Sequence, residues 1–276
     1  MRDRTIYHLP ILSGLDFGLM RSPGPGLGNL LFPISRALIG QVHYGGQFVY
    51  PTMRQIKFGT FLRRERDGRT YGDVLRSRSA AEWQDWFAAR WRPVVDEHAF
   101  DAVRKGVTVR YTGLGRYFHD LASHRDLIQT WLMENARDRA PLEAFDIGIH
   151  VRLGDFAVAN PKSSGNSVRQ SFEWYRAAFE KARRISTAQA PSTVLFTDSD
   201  PCEVQRELAI ASLSVDSSPN ALAAMLRMSR ARVLIASRST FSMWAAFLGG
   251  MSVIWDRYYH DRTHSLPHRP ALDHIV

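Results

Sequence analysis

The chain has 276 residues, enough for two compact domains or one large one, and its 45% hydrophobic and 23% charged residues mark a folded globular protein rather than a disordered one. A single cysteine, Cys202, excludes an intramolecular disulfide and an all-cysteine zinc site, and no run approaches the roughly 20 apolar residues of a membrane helix. Thirty-six Lys plus Arg against 27 Asp plus Glu leave a net charge of +9, which favours anionic partners: nucleic acid, an acidic membrane surface or phosphorylated small molecules. The basic start at Arg2 and Arg4 is followed by an apolar stretch broken by Pro10, Ser13, Gly14 and Asp16. No signal peptide is therefore expected, and the expected location is the cytoplasm, with peripheral contact to the inner membrane through the basic face.

In chain order, the first patterned stretch is Gly18 to Pro33. Its glycines and prolines predict a loop, and the apolar positions after Asn29 predict that a helix begins there with Pro33 in its first turn. A glycine-rich turn feeding a helix offers backbone N–H groups to a phosphate or a sugar hydroxyl. Neither a Walker loop nor the full dinucleotide glycine pattern is present. Residues 54–92 hold ten basic and five acidic side chains. Within them Trp83, Trp86, Phe87 and Trp91 have the spacing of one helix face, which reads as core, with the arginines as a solvated or membrane-facing rim. Aromatics among arginines also suit single-stranded nucleic acid, but no recognised nucleic-acid motif accompanies them, so that partner is disfavoured. A strand is predicted over 106–112 and a helix over 121–137. The turn at Pro141 then places a boundary at 140–143, giving domains 1–142 and 143–276.

From residue 145 the pattern alternates: strand 145–151, helix 171–186, strand 193–196, helix 201–211, a short strand near 213, helix 220–229, strand 232–236, helix 241–249, strand 251–254. Alternation of this kind predicts an α/β fold with a parallel, doubly wound sheet, whose ligands bind beyond the carboxyl ends of the strands. The first strand puts Ile147, Ile149 and Val151 on one face and His150 and Arg152 on the other. Arg152 offers a planar fork of donors to a phosphate. Gly154 permits a tight exit, and Asp155 stands where it can orient the arginine, accept a proton or cap the next segment. After the second strand, Asp198 can accept hydrogen bonds from a base or ribose, or cap the helix near Pro201. After the third, Ser237-Arg238-Ser239-Thr240-Phe241-Ser242 is rich in hydroxyls and opens into a helix, an arrangement that stabilises phosphate. Three such loops at successive strand ends, beside an arginine, read as a nucleotide-diphosphate site.

Four stretches, Gly26-Leu27-Gly28-Asn29, His150-Val151-Arg152-Leu153-Gly154-Asp155, Phe196-Thr197-Asp198-Ser199-Asp200 and Ser237 to Leu248, span nearly the whole chain. In order and spacing they resemble the inverting fucosyltransferases that use GDP-fucose, nearest to the bacterial alpha-1,2-fucosyltransferase family and akin to the alpha-1,6 and protein O-fucosyltransferases. The resemblance implies a GT-B architecture, two Rossmann-like domains with parallel sheets facing across a cleft and the donor in the C-terminal one. It implies metal-independent, inverting transfer of fucose from GDP-fucose to a hydroxyl of a glycan acceptor, such as a surface polysaccharide or a lipid-linked oligosaccharide, with no cofactor. It further implies Arg152 on the diphosphate, His150 and Asp198 near the guanine or ribose, and Ser239, Thr240, Phe241 and Ser242 around the phosphate. Gly28 and Asn29 would serve the donor from the N-terminal domain. Arg152, Asp155 and His150 are the catalytic candidates, and His43 and Asp16 are further candidates for the base that takes the acceptor proton. The chain departs from the family at Leu30, Leu153 and Arg238, where Gln, Arg and Asn respectively are usual. Alternative readings are transfer from another nucleotide sugar, nucleotide-sugar binding without transfer, and arginine-rich nucleic-acid binding.

Overall fold

The computed structural model describes residues 4–56, 70–101, 103–139, 143–153, 169–257, 260, 266 and 269–276. The chain divides into two compact units, Met1–Asp138 and Arg139–Val276. Each is built on a sheet in which every strand pair is parallel among the described residues, as an α/β chain with two parallel sheets requires.

The first unit carries β1 (Tyr7–Pro10), β2 (Gln47–Phe48), β3 (Val94–Asp96) and β4 (Thr108–Tyr111), in the order β2-β1-β4-β3. Helix α1 (Leu27–Tyr44) crosses from β1 to β2, followed by α2 (Ala80–Arg90) and α3 (Arg125–Asn135). The strand expected at 106–112 is β4. The inner strand β1 has no counterpart among the predicted strands, because four residues that include a histidine and a proline make no recognisable apolar run. Buried His8 explains its presence there. Its Nε2 lies 2.9 Å from the Gly45 carbonyl, which can only accept, so Nδ1 is left to accept from the Tyr111 hydroxyl at 2.9 Å.

Helix α1 starts at Leu27, two residues earlier than expected, and Pro33 falls in its second turn. Its early N–H groups are engaged within the protein: Leu27 donates to the Tyr71 hydroxyl at 3.1 Å, and Asn29 and Leu30 donate to the Gly26 carbonyl at 2.9 and 3.2 Å. The expected phosphate cradle at this turn is corrected to that extent. In α2, a capping box of Ser79 and Glu82 sets the start. Only part of its aromatic row is core: Trp86 is buried, whereas Phe87 is exposed and Trp91 is 87% exposed. The row is wider than the surface that covers it. Nor are the arginines here a solvated rim throughout. Arg78 is half-buried, donating to the carbonyls of Gly18 (2.6 Å) and Tyr50 (2.7 Å) and to the Thr52 hydroxyl (2.7 Å), and desolvation lowers its pKa to about 10.

The second unit carries β5 (Phe145–Val151), β6 (Thr193–Thr197), β7 (Leu213–Val215), β8 (Ala231–Ile235), β9 (Ser252–Trp255) and β10 (Asp273–Ile275), with α4 (Phe172–Ser186), α5 (Pro201–Leu208), α6 (Ala221–Met228) and α7 (Thr240–Gly249) between them. The predicted alternation is present throughout, and β10 is an addition at the edge. The sheet order is β7-β6-β5-β8-β9-β10. Counted from β5, this is the order of dinucleotide-binding sheets, and the winding reverses between β5 and β8. Ile147, Ile149 and Val151 pack on Tyr175, Ala178 and Ala182 of α4, so the other face of β5 is the one that carries His150. Among the described residues no helix is long and apolar enough to cross a membrane.

Candidate functional site

The carboxyl edge of the second sheet collects the charged residues that the strands deliver. Arg152, Asp198 and Asp256 are the first residues beyond β5, β6 and β9, and Arg238 stands three residues beyond β8. Arg152 Nε lies 3.8 Å from Asp198 Oδ2, and Arg238 Nη2 lies 2.8 Å from Asp256 Oδ1. All four side chains are largely buried, so the pairs are less screened than surface ion pairs. The Leu153 N–H also donates to Asp198 Oδ1 at 2.9 Å. Asp198 therefore braces the exit of β5. Capping of α5 falls instead to Asp200, which accepts from the Cys202 N–H at 3.1 Å.

Beside these pairs lies a network of hydroxyls. Ser239 caps α7, accepting from the Ser242 N–H at 3.3 Å. Ser242 is fully buried, accepts from the Ser237 N–H at 3.1 Å, and lies 2.6 Å from His150 Nδ1. The Ser237 hydroxyl is 2.8 Å from the same ring nitrogen and 3.1 Å from the Ser239 hydroxyl. The Phe241 ring packs beside the imidazole with centroids 5.3 Å apart.

Two expectations change as a result. His150 is buried rather than open to a ribose or a reacting proton. Burial first, and the Arg152 charge second, push its pKa down to about 3 against the opposing pull of Asp198, so near neutral pH it is an uncharged ring and a poor base. Ser242 likewise faces the imidazole, not a ligand. Strand alternation placed His150 on the correct face, but the first turn of α7 covers that face. Both residues hold the loop that presents Ser239 and Thr240. The outward surface of the loop thus consists of half-buried Thr240 and Phe241 beside Ser239.

Tyr175, Gln170 and Asp256 were outside the sequence candidates. The buried Tyr175 hydroxyl lies 3.2 Å from the His150 carbonyl and 3.1 Å from Gln170 Oε1, which fixes the end of β5 from below. Asp256 was within reach of the rule that finds Asp198, the residue just past a strand. Tyr175 was not, because it reads only as one more apolar position of an amphipathic helix.

The other candidates lie elsewhere. Gly28 is buried and Asn29 half-buried in the first turn of α1, in the first unit. Asp16 accepts from the Gly18 N–H at 2.8 Å and lies 3.3 Å from Arg90 Nη2, which gives its carboxylate a structural use. His43 Nε2 lies 2.8 Å from His124 Nε2. Asp155, Gly154 and, of the basic segment, Lys57, Arg63, Arg64, Arg66 and Arg69 fall outside the described residues.

Residues 117–261 match the profile described as glycosyl transferase family 11. The chain belongs to glycosyl transferase family 11. The matched stretch is more than half of the chain and contains the whole carboxyl edge from Arg152 to Asp256, with three of the four motifs that the sequence offered; the glycine loop precedes it. Among solved structures, a crystal structure of NodZ alpha-1,6-fucosyltransferase soaked with GDP-fucose aligns over 89% of this chain and 92% of its own, with 12% identity and a TM-score of 0.46. No curated protein matches the chain.

Proposed function

We propose that this family 11 protein transfers fucose from GDP-fucose to a hydroxyl of a glycan acceptor, with inversion and without a metal ion, and that the donor diphosphate binds at the carboxyl edge of the second sheet. The observation that carries the proposal is Arg152, braced by Asp198 beside the start of α7, at the point where the sheet reverses its winding. The sugar is assigned from the motif resemblance and the family.

Transfer breaks the bond between fucose C1 and the β-phosphate oxygen, and the electron pair leaves with GDP. The acceptor oxygen bonds to C1 from the opposite face, and its proton passes to a base. Negative charge grows on the departing diphosphate, and groups already fixed in place stabilise it most effectively. Arg152 supplies a charge, and the backbone at Ser239 and Thr240 supplies the positive end of α7. His150 keeps that loop in position as a neutral spacer. Asp155, three residues past Arg152, is assigned the base.

Calorimetric titration of GDP and UDP into wild type and Arg152→Ala tests the donor site. GDP binding that is stronger than UDP binding and is lost in the variant is the expected result; no GDP binding by wild type sinks the reading. Turnover of GDP-fucose that survives EDTA, with the anomeric configuration of the product read by NMR, tests the metal-free inverting course. Asp155→Asn tests the base. The acceptor is assigned to a lipid-linked or surface glycan at an anionic membrane. Exposed Leu15, Phe17 and Leu19 support that assignment, on a loop whose Gly18 rests against Trp83 and Trp86. Failure of the protein to bind vesicles of acidic lipid at low salt removes it.

A further inference from the structure

We propose that Arg238 is a second diphosphate-binding arginine, held by Asp256, and that with Arg152 it forms a two-arginine grip across the point where the sheet reverses its winding. The inference rests on the donor-site reading above and adds a residue to it.

The strand order brings the two arginines to neighbouring positions on one edge. Strand β5 pairs with β8 as far as Ile149 opposite Ile235, and each arginine stands three residues past that pair, Arg152 after β5 and Arg238 after β8. On its other side β5 pairs Val151 with Thr197, which puts Arg152 opposite Asp198. Neighbouring strands are about 4.8 Å apart. Across the edge the order is therefore Asp256, Arg238, Arg152, Asp198, with the two arginines after neighbouring strands and each paired on its outer side with a carboxylate.

Two like charges on adjacent strands repel one another, and a fold that needed only a tie between β8 and β9 had no reason to set Arg238 beside Arg152. A ligand with two linked anionic groups removes the repulsion, because each phosphate can meet one guanidinium fork. A monophosphate meets one. The Tyr175 hydroxyl lies 3.2 Å from the carbonyl of His150, and its pKa is raised first by burial, with smaller effects from the charges of Asp198, Arg238 and Asp256, as expected if these groups lie near the end of β5. Asp256, 2.8 Å from Arg238 Nη2, orients that fork in advance, so little ordering is required on binding.

The test titrates GDP, GMP and inorganic pyrophosphate into the full-length wild type, Arg238→Ala, Arg238→Lys and Asp256→Asn, with a thermal melt of each. Arg238→Ala is expected to weaken GDP and pyrophosphate by about ten- to a hundredfold and GMP by less than about threefold, so that the preference for diphosphate collapses. Arg238→Lys keeps the charge without the fork and falls between wild type and Ala. Asp256→Asn should lose several-fold on GDP and pyrophosphate with little change for GMP, the mark of positioning rather than of general damage. If Arg238→Ala does not fold, the Lys and Asn variants carry the same comparison. A lower melting point with the GDP-to-GMP ratio unchanged in the soluble variants would show a mere tie between strands and overturn the proposal. Wild type that binds pyrophosphate through Arg238 without preferring GDP over UDP keeps the grip and removes the guanosine reading; wild type that binds neither pyrophosphate nor GDP removes the grip.

Discussion

The two units use arginine in opposite ways. In the first, buried Arg21 and half-buried Arg78 donate to backbone carbonyls, and desolvation lowers the pKa of each to about 10, while Arg36 closes a two-pronged pair with Glu97 at 2.9 and 3.0 Å. These charges hold loops together. In the second, Arg152 and Arg238 stand at strand ends, each paired with an aspartate at the carboxyl edge. The net charge of +9 therefore does not measure a binding surface, because part of it is fixed inside the first unit. In the proposed reading, what separates a structural arginine from a ligand-binding one is its position relative to the sheet edge.

That contrast can be broken by substitution. The largest effect on stability is expected for Glu97→Ala, which leaves the Arg36 guanidinium buried without its carboxylate. A loss of about 3–5 kcal/mol in denaturant unfolding is expected, with donor affinity unchanged in the molecules that remain folded; a loss under about 1 kcal/mol would remove the structural role assigned to the pair. Arg152→Ala should do the reverse. Its melting point should stay near wild type while kcat/KM for the donor falls by roughly two to three orders of magnitude; an unchanged kcat/KM would take Arg152 out of the donor site.

A third outcome concerns pH. Because the His150 pKa is lowered in the fold, the stabilising contribution of its neutral ring is fully present above its ordinary value near 6.5 and is lost as pH falls toward about 3. Unfolding measured across that window should show wild type losing up to ~1.4 kcal/mol per pH unit more than His150→Gln. Parallel curves would mean that His150 is not held neutral. The smallest effect is expected for Ser239→Ala, about 1 kcal/mol from the lost cap of α7, read as a small drop in melting point with a weaker grip on the donor. No change in either would leave Ser239 without a role in presenting the loop.

Much of the second unit was legible because its elements are locally regular. The run Ile147 to Val151 ends in Arg152, Thr193 to Phe196 leads to Asp198, and the hydroxyl-rich turn opens into α7, so element type and the order of functional loops could be read by period alone. Arg238 stood out only as a departure from the family it resembles, and the structure gives it a partner in Asp256. The first unit was harder to read: β1 is short and broken by polar residues, and the aromatic spacing of α2 suggested more core than Trp86 supplies.

The sequence by itself determined the alternation of strands and helices in the second unit, the face on which His150 lies, and which residues leave each strand. Those are properties of backbone period and local composition, and they need no knowledge of neighbours. Only the tertiary structure decided that α7 covers His150 and Ser242, that Asp198 braces the exit of β5 instead of capping α5, and that Arg238 and Arg152 follow adjacent strands. Those outcomes depend on which strands lie side by side and which helix covers each face. Contacts between residues 45 to 92 positions apart set them, and no local pattern carries that information.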